Sequence, residues 1–360
     1  MRVRVGKKEL AEAAGVLERI APTRPSQPVY AHVHLEGTAE GLRMRATNGE
    51  LDLELTVPAE VEGTGATLVP AGLFGQLVRG LPADEAELRL TPEGLELEGG
   101  SFATRIRTAD PETFPPFPEA REAVGEVGAQ ALAKALSRVR YAAAQEEYRA
   151  IFRGIQLEAE DGKLRAVATD GFRLALYDTE GPEGASLKVV VPARGADELV
   201  RLLKDQATPV RLALGEGRIF VTGEGFRLAS ALMEGTFPDY ERVIPSQYQL
   251  EATLDAEALR RAIERLRVLA DRQSQRIDLA FNEGAVELVA EGELGRGREV
   301  LPAELSGEPL VVAYNALYLA DALKGLKGPV RLKLSGAATP SVVTAEEEPG
   351  YLAVVVPLRV

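Results

Sequence analysis

Apolar side chains recur at helical spacing in three separate stretches of this 360-residue chain. Leu10, Ala14 and Leu17 stand at i, i+4 and i+7, as do Leu132, Leu136 and Val139, and then Leu259, Ile263 and Leu266. Each trio shares one helical face, so each stretch predicts an amphipathic helix. Alternation at period two follows, which sends successive side chains to opposite faces of a sheet. Residues 30–35, 42–47, 163–169 and 285–290 are therefore expected strands, separated by glycine-bearing turns.

Comparing the chain with itself adds a second helix to each stretch. Segments opening Val69-Pro70-Ala71-Gly72-Leu73, Val191-Pro192-Ala193-Arg194-Gly195 and Tyr314-Asn315-Ala316-Leu317-Tyr318 align at offsets of 122 and then 123 residues. Apolar positions coincide at Val78, Val200 and Leu323 and at Leu81, Leu203 and Leu326, and a basic residue recurs at Arg79, Arg201 and Lys324. The turn signal Ala46-Thr47-Asn48-Gly49 returns as Ala168-Thr169-Asp170-Gly171, and more loosely as Ala290-Glu291-Gly292. Strands expected over 102–107, 226–233 and 351–358 close the units. The chain thus reads as three copies of one α+β unit, each running helix, strands, helix, strands. The expected domains are 1–122, 123–245 and 246–360; the first boundary follows Phe114-Pro115-Pro116-Phe117-Pro118 and the second falls at Pro245.

Charge changes this picture through its placement. Overall, 42 Lys and Arg against 55 Asp and Glu leave a net charge of −13, which argues against gripping nucleic acid by bulk charge. The second helices nevertheless carry Arg79, then Arg194, Arg201 and Lys204, then Lys324 and Lys327. Two first helices add Lys134, Arg138 and Arg140, and Arg260, Arg261, Arg265 and Arg267. Helix propensity alone would enrich Glu as readily as Arg, so a basic helical face is expected. Six helices per chain make twelve in a pair, and twelve set side by side at about 10 Å spacing enclose a hole about 28 Å across. A duplex fits such a hole, held loosely by a basic lining and repelled by an acidic exterior. One chain alone cannot close it.

Other chemistry is sparse. There is no cysteine, hence no disulfide or thiolate site, which fits a reducing cytosol. His32 and His34 share a strand face, so a metal pair is conceivable, but no carboxylate stands at ligand spacing and a plain strand is the simpler reading. Gly215-Glu216-Gly217 reads as a hairpin and not a phosphate loop. Walker A and G-x-S-x-G patterns are missing, and no carboxylate pair stands out as acid and base, so neither an enzyme nor a cofactor is expected. No run approaches the roughly 18 apolar residues of a membrane span, and the N-terminus lacks a secretory signal's apolar core, so no membrane contact and a cytoplasmic location are expected.

Essentially the whole chain resembles the bacterial DNA polymerase III β subunit family, the sliding clamps. The most specific parts are Ala168-Thr169-Asp170-Gly171-Phe172-Arg173-Leu174-Ala175, Thr236-Phe237-Pro238-Asp239-Tyr240-Glu241-Arg242-Val243-Ile244-Pro245 and Val356-Pro357-Leu358-Arg359-Val360. The resemblance implies a DNA-clamp fold: three repeated domains, each with two helices and antiparallel sheets, in a ring-shaped head-to-tail homodimer. It implies a processivity factor that encircles duplex DNA without reading its sequence and slides along it. A separate ATP-driven clamp loader would open the ring. The replicative DNA polymerase and other proteins with a short clamp-binding motif of Gln and apolar anchors would dock in a pocket. The matching pocket positions are Phe152, Thr169, Gly171, Phe172, Arg173, Leu174, Pro238, Arg242, Val243, Ser341, Val356, Pro357 and Leu358. Apolar residues there would form the cleft and the arginines would offer rim contacts; Phe172 stands where the family often has His, implying a greasier pocket. DNA contacts carry over to Arg24, Gln145, Arg149, Arg79, Arg194 and Arg201. At the dimer seam, Ile106 on an edge strand would meet Val268 and Leu269 of the other chain. Two rival readings remain at this stage: an acidic three-repeat protein-interaction scaffold that does not encircle DNA, and a carboxylate-dependent hydrolase on a duplicated fold.

Overall fold

The computed structural model describes residues 1–146 and 149–359; Glu147 and Tyr148 of the loop carrying Gln145 and Arg149, and the terminal Val360, lie outside the described residues. Six α-helices are found among them: α1 Lys7–Ile20, α2 Ala71–Arg79, α3 Ala129–Val139, α4 Ala193–Leu203, α5 Ala256–Leu266 and α6 Ala316–Leu323. The expected apolar trios are buried on α1, α3 and α5. Burying one such leucine contributes about 1.5–3 kcal/mol, so the three stripes anchor their helices. α2 and α4 each follow a strand ending in proline, Pro70 and Pro192. Proline can donate no further ladder bond and its φ already suits a helix entry. α6 instead starts at Asn315, whose Oδ1 accepts from the Leu317 and Tyr318 amides.

The chain gathers into two compact units, residues 1–129 with 205–232, and 130–204 with 233–360. All described strand pairings are antiparallel. In the first unit a five-stranded sheet runs Ala59–Glu62, Arg2–Gly6, Glu85–Thr91, Gly94–Gly99, Phe102–Ile106. An eight-stranded sheet runs Glu122–Val127, Val210–Gly215, Arg218–Gly223, Phe226–Ala231, Leu51–Val57, Gly41–Thr47, His32–Thr38, Gly65–Pro70. The second unit has a nine-stranded sheet, Leu187–Pro192, Gly154–Glu160, Lys163–Thr169, Arg173–Glu180, Glu348–Val355, Ser341–Ala345, Pro329–Leu334, Leu250–Asp255, Glu304–Gly307. Its four-stranded sheet runs Gly295–Pro302, Ala285–Gly292, Arg276–Asn282, Leu310–Asn315. The units cut across the sequence repeat for a reason visible in the register. Phe226–Ala231 pairs with Leu51–Val57, and Arg173–Glu180 pairs with Glu348–Val355, so each flanking repeat claims part of the middle one.

The two helices of the first repeat, and those of the second, lie antiparallel. At one end of the second repeat's pair the Gln130 side chain donates to the Leu203 and Lys204 carbonyls, and at the other Arg140 forks onto Asp197 at 2.8 and 3.1 Å. In the first pair, Lys7 donates to Leu81 O while Arg79 reaches Glu18 at 2.8 Å.

The repeated turn is reproduced atom for atom twice. Thr47 and Thr169 Oγ1 accept from the Gly49 and Gly171 amides; Asn48 and Asp170 Oδ1 accept from the two amides that follow. Gly49 and Gly171 have φ of 92° and 90°, a region that glycine enters without strain. The third copy departs: Ala290-Glu291-Gly292 continues a strand. Three other expectations shift. Tyr30 belongs to the 3-10 turn Pro28–Ala31, entered at a proline, and its strand begins at His32. The strand expected over 226–233 stops at Ala231, and that over 351–358 stops at Val355, before Pro357 could carry on the ladder. Gly215-Glu216-Gly217 is a hairpin with positive φ at Glu216 and Gly217, as expected.

The two histidines sit in different surroundings. Among the described residues no group of three or more His, Cys, Asp or Glu is placed to hold an ion. His32 Nδ1 lies 3.3 Å from Pro28 O, whereas His34 is buried against Phe114 with its Nδ1 lacking a partner. Burial, then Arg45 and Arg43, pulls the His34 pKa down to about 4. The folded imidazole thus stays neutral while the unfolded one protonates below its ordinary pKa of 6.5. The unfolded chain therefore binds more protons in that interval, and stability falls as pH is lowered from about 6.5 to about 4. Urea titrations across this window are expected to show a shallower loss for His34→Phe than for the parent chain.

Candidate functional site

Of the expected pocket residues, all of which lie in the second unit, Leu174 belongs to one apolar cluster. Leu174 packs there with Val167, Leu176, Val190, Phe237, Tyr240, Val342 and Val354, with Ile244 and Met233 at its margin. Strand register brings them together: Leu174 faces Val354 across the ladder, and Arg173 and Ser341 both face Val355. The C-terminal segment is tied in by main-chain bonds, Val356 N to Phe172 O at 3.0 Å and Leu358 N to Ala313 O at 2.8 Å. Pro238 follows directly on buried Phe237, and Arg242 and Val243 come just after buried Tyr240.

Accessibility sorts the set. Phe152, Thr169, Leu174, Ser341 and Pro357 are buried and form the floor and frame. Thr169 Oγ1 donates to Arg173 O at 2.7 Å, and the Ser341 and Tyr314 hydroxyls meet at 2.6 Å; burial raises the Tyr314 pKa. Of the expected positions, Phe172, Val243 and Val356 are exposed, with Pro238 and Leu358 partly so. At Gly171 the φ of 90° and not a lack of room calls for glycine, since a Cβ built there would come no closer than 3.8 Å to Phe152.

One expectation is corrected. Arg173 is not a rim contact: its side chain is only 12% exposed and is committed to Asp321 at 2.6 Å and Asp170 at 3.1 Å. Its guanidinium also lies 4.5 Å from the Tyr318 ring centroid and 5.6 Å from that of Tyr141, an arrangement of the cation–π kind. Arg173 is therefore a strut. Arg242 does lie on the rim, 84% exposed and paired with Asp239 at 2.6 Å.

Sequence reasoning missed Tyr318 and Asp321 of α6. Tyr318 stacks on Phe172, with ring centroids 6.4 Å apart and planes 23° apart, so the exposed phenyl ring is backed by a second ring. A signal existed: at the Tyr318 position the other two repeats have Leu73 and Gly195. Arg149, assigned to DNA from sequence, stands with its guanidinium 5.3 Å from the Phe152 ring centroid, against a pocket residue.

With this geometry in hand, comparison with known proteins is decisive. Three family models match in succession: the N-terminal domain of the DNA polymerase III beta subunit over residues 1–118, its central domain over 126–239 and its C-terminal domain over 241–359. The chain belongs to the DNA polymerase III beta subunit family. Relatives in that family include the beta sliding clamp of Pseudomonas aeruginosa, 32% identical with 98% of this chain and 97% of the relative covered. That of Synechococcus elongatus is 31% identical with 96% and 95% covered. The crystal structure of the DNA polymerase III subunit beta from Pseudomonas aeruginosa superposes with a TM-score of 0.92 at 28% identity, covering 100% of both chains. The fold is thus that of the sliding clamps, three repeated domains of antiparallel sheets and paired helices.

The family's remaining expected positions fall as follows. Arg24 is exposed after α1, Gln145 is exposed after α3, and Arg194 is exposed at the start of α4. Arg79 and Arg201 are half exposed, but each also touches a carboxylate, Glu18 at 2.8 Å and Glu198 at 2.5 Å. Arg140, Arg260, Arg261 and Arg265 likewise meet Asp197, Glu264, Glu257 and Glu299, and Arg138 meets Glu348. The helical cations counted in the sequence are therefore partly neutralised, and their charge is smaller than the count implies. For the seam, Phe102–Ile106 is an edge strand as expected, yet the Ile106 side chain is only 2% exposed. Its contribution to pairing would come from the main chain. Val268 is 71% exposed and adjoins Leu269 in a groove with Arg261, Glu264 and Arg265.

Phe172→Ala is expected to leave urea stability within about 0.5 kcal/mol of the parent, because the ring is exposed. Arg173→Ala is expected to lose about 2 kcal/mol, since two carboxylates lose their partner.

Proposed function

We propose that the chain acts as a processivity factor: two copies close head to tail into a ring around duplex DNA, slide along it and tether the replicative DNA polymerase and other DNA-processing proteins. It performs no catalysis of its own. The observation that carries this reading is the unbroken succession of three beta-subunit domains along the chain. The domains are taken as 1–122, 123–245 and 246–360.

The site chemistry supports the division of labour. Tethering falls to the face built by Phe172, Val243 and Val356, where a partner segment with apolar anchors would displace water from exposed apolar surface. Contact with phosphates falls to Arg24, Arg79, Arg194 and Arg201, with Gln145 and Arg149 from the loop after α3. Cations half committed to carboxylates grip phosphate weakly, which suits a ring that must move. The subunit seam would join the Phe102–Ile106 edge to the surface around Val268 and Leu269. Among the described residues no helix is long and apolar enough to cross a membrane, and a cytoplasmic location is proposed. An acidic scaffold that never encircles DNA would share the docking face but not the linkage to DNA.

Loaded onto nicked circular DNA by a clamp loader and ATP, the protein should co-elute with the circle in gel filtration and be released when the circle is cut. Equal retention on linear DNA, or none on the circle, would reject encirclement. Removing residues 356–360 deletes the strand end that bonds Phe172 O. The truncated protein is expected to keep its dimeric mass by light scattering while losing binding of a synthetic peptide with Gln, Leu and Phe anchors.

A further inference from the structure

The docking face has an internal counterpart. In the second unit Arg173, Val355 and Ser341 stand in one cross-strand line, with Val356 N bonded to Phe172 O. In the first unit the equivalent line is Leu51, Ser230 and Ile219, with Ala231 N bonded to Glu50 O. Register thus equates Gly49 with Gly171, Glu50 with Phe172, Asp52 with Leu174 and Arg218 with Pro340. The turns framing both lines are the same Thr-Asx-Gly turn described above.

The chemistry of the two places is opposite. Where the second has an exposed phenyl ring over an apolar floor, the first has Glu50 over buried Asp52. Arg218, largely buried, donates to Gly49 O at 2.7 Å, Glu50 O at 2.8 Å and Asp52 Oδ2 at 2.9 Å. Its fork spans the turn where the second unit presents Phe172 and Val356. Proline at position 340 has no donor and cannot do the same. The first turn is also tighter, a Cβ built on Gly49 coming within 3.3 Å of Tyr30 where one on Gly171 stays 3.8 Å from Phe152.

We propose that Arg218, seated on Asp52, closes the first of these two equivalent junctions, and so limits each chain to one docking site for apolar-anchored peptides. The closure is specific to arginine, because one guanidinium forks onto the two turn carbonyls, Gly49 O and Glu50 O, at once, with Asp52 strengthening the hold. This rests on the docking reading above.

The test is calorimetric titration of the full chain with a synthetic peptide carrying Gln, Leu and Phe anchors. The parent should bind one peptide per chain. A chain carrying Glu50→Phe, Asp52→Leu and Arg218→Ala should bind two, and one of these should survive Phe172→Ala. A folded triple variant that still binds one overturns the proposal. Should the triple variant not fold, the reciprocal change decides: Pro340→Arg should weaken binding to the existing site by about tenfold, and Pro340→Lys by less than about threefold. Unchanged binding by Pro340→Arg, or equal loss in both, overturns it. If the parent binds no peptide, the docking reading itself fails and takes this inference with it.

Discussion

Strand pairing between repeats is the constraint on which the rest of the structure depends. A repeat that ended at its own sheet edge would expose unpaired amides and carbonyls. Here the edge Arg173–Glu180 is completed by Glu348–Val355, and Leu51–Val57 by Phe226–Ala231. These ladders fix register, and register decides function. A slip of one residue would turn Leu174 out of its cluster and bring Arg173 into it. The same ladder carries the chain on to Val356 and Leu358, so the proposed docking face would form only where two repeats have already joined.

Electrostatics follows a similar logic of restraint. The helices carry many arginines, but most of those with a described partner meet a carboxylate on the same or a neighbouring element. Exposed pairs of this kind are worth little to stability. Their effect is to lower local charge density while leaving guanidinium donors accessible at the surface. A face built this way attracts a polyanion without fixing it at one position.

Much of this was legible in the sequence, and the failures have physical causes. The six helices were readable because apolar spacing and the recurrent strand-to-helix signal are local. The Thr47 and Thr169 turns were readable because their side chains bond their own backbone. The strand limits near Tyr30 and Leu358 escape the apolar pattern because a proline-led turn or a proline ends pairing while the pattern continues. The buried setting of Arg173 is not legible locally, because nothing in its neighbourhood shows that α6 supplies Asp321 and Tyr318, some 145 or more positions further on. The neutralisation of helical cations is hidden from the sequence for the same reason: partners such as Glu299 for Arg265 are fixed by tertiary packing.

The stacking of Phe172 on Tyr318 has a consequence for how the protein responds to its surroundings. The proposed docking face meets a partner through apolar rings and side chains, so added electrolyte should hardly alter its hold on a greasy segment. Contacts to phosphate weaken steeply under the same change. Tether and track thus answer to different solvent variables, and a shift in ionic strength can loosen one while the other stays engaged.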